Sequence, residues 1–249
     1  MKKILVPSLL ALALGSVSGF AQAQTAAPES SLSFNVGATS DYRYRGISQS
    51  RLQPAVQGGV DYADKSGFYV GAWGSSIKWV KDAGGDTNVE LDLYAGYKGA
   101  VGDVSYDVGF LRYQYSGNKL ALVPDYANAN TNEIYAAGTV GPVTLKYSHA
   151  VSNIFSFIDS KNSYYVDLSG TFDLGNGFSL VPHVGYQSVK NSSTWSYTDY
   201  ALTLGKDLGN GLSATAAVIG TDADKALYVT PAGKFTGKTG LVVGLKYAF

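Results

Sequence analysis

The sequence predicts an all-β chain: a transmembrane, antiparallel, up-and-down β-barrel of about twelve strands behind a cleavable signal peptide. Three observations carry that expectation. Apolar and polar residues alternate with a period of two almost throughout, and short and long connections alternate strictly along the chain. No stretch after the N-terminus is apolar for the roughly 18 residues that a transmembrane helix needs.

The N-terminus sets the compartment. Lys2 and Lys3 form a positive n-region, Ile4 to Leu14 a short apolar core, and Ala21-Gln22-Ala23 a small-x-small cleavage site centred on Ala21 and Ala23. Residues 1–23 therefore read as a signal peptide for Sec export, 24–30 as a disordered lead-in and 31–249 as the barrel. The apolar core is too short to span a bilayer. Losing two lysines leaves 17 basic against 19 acidic residues.

The period of two is plain in strand one. Leu32, Phe34, Val36, Ala38, Tyr42 and Tyr44 alternate with Ser33, Asn35, Gly37, Thr39, Asp41, Arg43 and Arg45. Val89, Leu91, Leu93, Ala95 and Tyr97 alternate with Asn88, Glu90, Asp92, Tyr94, Gly96 and Lys98. Strands are expected near 31–45, 54–64, 67–79, 87–99, 103–116, 131–140, 142–151, 162–174, 178–189, 197–208, 212–221 and 238–249. The apolar phase slips at Phe110-Leu111, which suggests a bulge, and the outward face between Phe68 and Trp79 is ambiguous.

Tight connections fall at Lys65-Ser66, 99–102, Gly141-Pro142, 175–177 and 209–211, and two of them are near copies, DLGNGFS at 173–179 and DLGNGLS at 207–213. Asn-Gly pairs supply the positive φ of strand-matched hairpins. The intervening connections are longer and polar, most clearly 117–130 and 222–237. Short turns at one end and long loops at the other are the anatomy of an outer-membrane barrel in a Gram-negative bacterium, with outer-membrane lipid around it. Tyr42, Tyr44, Tyr62, Tyr97, Tyr147, Tyr186 and Tyr247 fall on the apolar phase near strand ends, where an aromatic girdle belongs.

Composition agrees and excludes other classes. The 249 residues hold 30 Gly and 19 Tyr, only 15% are charged, and there is no Cys. Zero Cys excludes disulfide scaffolds, thiolate metal sites and acylation. Balanced charge gives no footprint for nucleic acid. No cofactor motif and no metal-ligand cluster is present. His149 and His183 lack a same-face nucleophile in the pattern, so an enzyme is not expected.

Two resemblances follow. Tyr247-Ala248-Phe249, with apolar residues at alternate positions back to Leu241, resembles the C-terminal signal that outer-membrane barrels present to the barrel assembly machinery. Asp41-Tyr42-Arg43-Tyr44-Arg45-Gly46-Ile47-Ser48, then Pro54-Ala55, Gln57-Gly58-Gly59 and Ser66-Gly67-Phe68-Tyr69, resemble the opening of the TorF family of proteobacterial porins, once catalogued as a family of unknown function. Ala63-Asp64 departs from the more aromatic or histidine-bearing turn of that family. The resemblance implies a porin-like barrel and names no solute.

If the apolar phase faces lipid, ionisable residues of the other phase face the lumen. Asp41, Arg43 and Arg45 are expected on the inner face near the outer mouth; folding strand four on strand five places Glu90 roughly opposite Arg112, with Asp92 nearby. Asp61, Lys98, Asp107, Asp167 and Lys246 are also inward by phase, nearer the turn end. Opposed charges across a narrow lumen select polar solutes; the same charges could equally be struts in a filled barrel. Twelve strands lie between filled and aqueous barrels. The leading expectation is a narrow channel for passive diffusion of small hydrophilic solutes or ions. The alternatives are a closed structural or adhesive barrel whose outer loops bind a partner, with a loop such as 117–130 as plug, and a soluble periplasmic β-protein.

Overall fold

Residues 30–249 are described by the computed structural model. The leader expected at 1–23 and, apart from Ser30, the lead-in at 24–30 lie outside the described residues. The wall is built from β1 (Ser31–Thr39), β4 (Ala55–Ala63), β5 (Phe68–Ser76), β6 (Val89–Val101), β7 (Val104–Gln114), β8 (Thr131–Val140), β9 (Val143–Ala150), β10 (Tyr164–Gly170), β11 (Phe172–Gly175), β12 (Phe178–Ser188), β13 (Tyr197–Gly209), β14 (Leu212–Thr221) and β15 (Gly240–Ala248). A small hairpin, β2 (Arg43–Tyr44) with β3 (Ile47–Ser48), stands apart from it. Because β10 and β11 both pair with β12 and follow one another, they form one interrupted stave, giving a wall of 12.

The sheet closes on itself. β1 pairs antiparallel with β4 and with β15, and β10 pairs with β9 and with β12. All wall pairings are antiparallel between neighbours. The period of two then separates the faces. Leu32, Phe34 and Val36 are exposed on the outside while Thr39 is buried inside; Leu202 and Leu204 are exposed while Thr203 is buried. Exposed Tyr62, Tyr147, Tyr186, Tyr200 and Tyr247 belong to the outer surface. Among the described residues no helix is long and apolar enough to cross a membrane.

The two near-identical hairpins have positive φ at both central residues, 52° and 76° at Asn176-Gly177 and 51° and 81° at Asn210-Gly211, as hairpin twist requires. Each also carries a register shift, at Asp173/Gly175 and at Asp207/Gly209. No such shift occurs at Phe110-Leu111: the β6–β7 ladder runs unbroken from Leu91↔Gln114 to Val101↔Val104. Leu111 keeps its phase and packs inward against the cluster around Tyr42 and Trp73, so an apolar inner residue mimicked a slip. In the Asp64–Gly67 turn, the Ser66 hydroxyl and backbone N–H and the Ser30 hydroxyl hold the Asp64 carboxyl down at about 2.

Strand one is shorter than its pattern. It leaves the wall after Thr39, and residues 40–54 turn inward across the outer mouth. Arg45 and Gly46 reverse the chain with φ of 45° and 78°. The alternation persists through Arg45 because the inner hairpin is itself β structure, which the period of two does not distinguish from wall. Tyr42 and Tyr44, expected in the outer girdle, are consequently buried inside, Tyr42 at 2% exposure.

The face assignment is testable. Leu202→Lys on the outer surface should destabilise the barrel in bilayers by about 2–4 kcal/mol, whereas Ser179→Thr, on the inner face, should change it by less than about 1 kcal/mol. Urea unfolding in lipid vesicles distinguishes the two.

Candidate functional site

The inner hairpin makes the outer lumen. Its contacts reach walls on opposite sides of the barrel. Tyr42 donates its hydroxyl to Glu90 of β6 at 2.5 Å, and Tyr115 donates to the other oxygen of Glu90 at 2.6 Å. Tyr44 donates to the Tyr113 hydroxyl of β7 at 2.8 Å. Arg45 donates to both oxygens of Glu133 on β8, at 2.8 and 3.0 Å, and to Gln187 on β12 at 2.5 Å. Its guanidinium also lies over the ring of Tyr165 on β10, 4.2 Å from the centroid. Arg43 donates to Asp41 and to the carbonyls of Thr236 and Lys238 in the last outer loop.

Arg45 and Glu133 are 3% and 1% exposed on their side chains. Taking two charges out of water costs several kcal/mol per ion, and bidentate geometry with further hydrogen bonds offsets it. The fork on Glu133, the Gln187 acceptor and the Tyr165 face supply that set. The 117–130 loop, which the closed-barrel alternative offers as a plug, packs Leu120 and Ala129 against the same cluster.

Below the hairpin several tyrosines lie along the inner wall, and glycines are the reason. A Cβ at Gly71 would collide with the Tyr94 ring, at Gly96 with Tyr69, at Gly109 with Tyr135, and at Gly185 with Tyr165. Each inward tyrosine thus lies down over a glycine of the next stave instead of projecting across the lumen. Their hydroxyls reach carboxylates: Tyr94 donates to Asp61 at 2.5 Å, Tyr69 to Asp107 at 2.6 Å and Tyr165 to Asp199 at 2.9 Å. Lys98 lies 3.9 Å from Asp107, and Lys146 sits over the Tyr135 ring at 4.2 Å. The staves β13 to β1 present mostly small inner residues, among them Thr203, Gly205, Ser213, Thr215, Gly244 and Gly37.

Most expected lumen residues are where the phase put them. Asp61, Glu90, Asp92, Lys98, Asp107, Asp167 and Lys246 point inward from the wall, as do Tyr69 and Trp73. Asp41, Arg43 and Arg45 are in the lumen too, carried by the inner hairpin and not by strand one. Arg112 is a correction. It pairs with Leu93 and Asn132 on the lipid-facing side and donates to Gln114 and Asn132 there. The true register sets Asp92 opposite Tyr113, and an odd offset moves a side chain to the other face.

His183 also differs from expectation, since it has partners. Its Nδ1 lies 2.7 Å from Asp167 and its Nε2 2.7 Å from Asp199. His149 faces outward, with Tyr147 and Asn162 on its ring nitrogens. Among the described residues no group of three or more His, Asp or Glu can hold a metal ion. Glu133, Asp199 and Lys146 were not singled out from the sequence. Each sits on the inward phase of its strand, so that signal was available; Gln187 as a partner of Arg45 depends on the hairpin's placement.

Glu133→Gln should leave the Arg45 guanidinium buried without its counter-charge and weaken hairpin docking by about 3–5 kcal/mol. Hydrogen exchange should then rise in residues 41–50 while the wall stays protected. Arg112→Gln, outside the lumen, should leave hairpin exchange unchanged.

The chain is similar in fold to solved porins. A KdgM porin superposes with a TM-score of 0.56 at 11% identity, covering 87% of this chain and 99% of that one. A KdgM porin in complex with disordered oligogalacturonate matches with a TM-score of 0.54 at 11% identity, over 88% and 99% of the two chains. A NanC porin matches with a TM-score of 0.54 at 10% identity, again over 88% and 99%. No curated protein matches in sequence. With residues 22–249 matching, the chain belongs to Gcw_chp, a family described as bacterial protein of unknown function.

Proposed function

We propose that this protein is a porin of the TorF type, exported through the Sec pathway and inserted in the outer membrane of a Gram-negative bacterium. Small hydrophilic solutes or ions cross it by passive diffusion through a narrow, charged lumen. The observation that carries this reading is the inner hairpin: it brings the Asp41–Arg43 pair inside a closed barrel, sets Arg45 against Glu133 and lays Tyr42 on Glu90. Opposed charges at close quarters create a transverse field that favours polar over apolar solutes. Beneath it, glycines let the tyrosine rings lie along the wall, which supports a polar path there. A porin of similar fold has been solved with an oligogalacturonate, a hydrophilic saccharide, which supports solute passage here.

Asp92 joins the constriction from β6, and Asp61, Lys98, Asp107, Asp167 and Lys246 line the path below it. Tyr247 and Phe249, stacked at 5.5 Å on the outer surface, are the residues the barrel assembly machinery would read. One observation favours a second reading, a closed structural or adhesive barrel: Tyr42, Arg45 and Ile47 of the hairpin are all buried.

Planar-bilayer recording decides between them. The porin reading expects discrete conductance steps in KCl; insertion without conductance establishes the closed barrel. Replacing residues 42–50 with a short Gly-Ser linker should raise the step size severalfold. Neutralising Arg43 and Arg45 together should shift ion selectivity toward cations, because it leaves the Asp41 and Glu133 carboxylates without their opposing charges. Unchanged selectivity would remove both arginines from the path.

A further inference from the structure

One recess in the lumen wall is built unlike the rest. It spans five adjacent staves, β14, β15, β1, β4 and β5, below the inner hairpin, and encloses a cavity of about 20 Å³. Its floor is backbone. A Cβ at Gly37 would come within 2.8 Å of the Leu245 carbonyl, and one at Gly59 within 3.0 Å of Asn35 Nδ2 and 3.2 Å of Trp73 Cδ1. Lys246 stands beside Gly37 on one side and Trp73 beside Gly59 on the other, by direct cross-strand pairing.

The groups facing this recess are mainly donors. Trp73 is 6% exposed, and its Nε1–H is buried with no acceptor. An orphaned buried donor costs free energy unless something accepts from it. Among the described residues the Lys246 ammonium is held by no ion pair or side-chain hydrogen bond, and the carboxylate that acts on it through space is Asp61. Asp61, the carboxylate nearest in the wall pattern, already accepts from Tyr94. The side-chain amides of Asn35 and Gln57 and the hydroxyl of Thr215 complete the lining. This set differs from the constriction above, where each arginine has its carboxylate.

A cation beside an indole N–H and two amides calls for an anionic acceptor with more than one oxygen. A volume near 20 Å³ takes one or two water-sized groups, since about 10–15 Å³ admits one, and a carboxylate presents two oxygens. We propose that the recess between Lys246 and Trp73 is a subsite for the carboxylate group of a small hydroxylated organic acid. Lys246 supplies the charge-assisted bond, the Trp73 N–H the second donor, and the amides and hydroxyl take up the neighbouring hydroxyls of the solute. The inference deepens the channel reading and rests on it: the subsite would hold an acid in transit, weakly enough to release it.

The test uses sodium gluconate as the acid and sorbitol as a neutral polyol of matching size. In bilayers, gluconate should reduce the KCl current through the wild-type protein saturably, and sorbitol should not. Lys246→Met should raise the half-blocking concentration by about tenfold or more, the worth of a charge-assisted hydrogen bond. Lys246→Arg, which keeps the charge, should stay within about threefold. Trp73→Phe should raise it severalfold while still folding to a heat-modifiable barrel. Tryptophan emission in detergent gives a readout independent of conduction: gluconate should shift it saturably in wild type and not in Lys246→Met. A protein that never conducts, yet shows that shift, fails the channel reading and keeps the subsite. A conducting protein indifferent to gluconate in both assays overturns the subsite. Equal responses to sorbitol and gluconate, or a Lys246→Met variant that behaves as wild type, overturn it as well.

Discussion

In hydrocarbon an unpaired peptide group costs several kcal/mol, so a chain of strands is stable there only if its sheet has no edge. Here β1 removes the edge by pairing on one side with β4 and on the other with β15, through registers such as Ala38↔Val56 and Ala38↔Leu245. Everything else depends on that closure. Once the ring is closed, each strand has one face outward and one inward, and a period of two in sequence becomes an apolar outside and a polar inside. The apolar phase carries Leu32, Phe34, Leu202 and Leu245 outward. The other phase is relieved of the hydrophobic demand and can hold charge.

Holding charge inside a narrow barrel raises a packing problem, met in two ways. In the lower lumen, tyrosines fold down over glycines of the neighbouring stave and pass their hydroxyls to Asp61, Asp107 and Asp199. The aromatic volume is thus spent along the wall. In the outer lumen the inner hairpin fills the space and brings its own counter-charges, with Arg45 forked on Glu133 and Asp41 beside Arg43. Removing one partner of such a pair is far more costly than never having built it. The hairpin is therefore strongly placed, and in the proposed channel the solute path is what remains between it and the wall. Where the compensation is incomplete, at the Trp73 N–H beside Lys246, the proposed subsite would let a passing solute supply the missing acceptor.

Much of this was legible from residues alone. The strands near 131–140, 178–189 and 212–221 fall within about a residue or two of β8, β12 and β14, because alternation and Asn-Gly turns are local signals. The inward placement of Glu90, Asp107, Asp167 and Lys246 followed from phase. The misses have equally specific causes. Arg112 was placed inside because its register was reckoned from an assumed turn, and an odd offset reversed its face. Tyr42 and Tyr44 were placed in a girdle because an inner hairpin keeps the alternation of a wall strand. His183 looked partnerless because Asp167 and Asp199 reach it diagonally from strands on either side.

The sequence by itself determined the class of structure: all-β and closed, with one apolar and one polar phase. Those properties follow from composition and from patterns spanning a few residues. Which charges meet was decided only by the tertiary structure. The contact of Arg45 with Glu133 and Gln187 joins positions 88 and 142 residues apart. The recess between Lys246 and Trp73 draws on the first staves and the last. Such encounters depend on the register of every ladder between the partners and on where residues 40–54 go once they leave the wall, and neither is encoded in any local repeat.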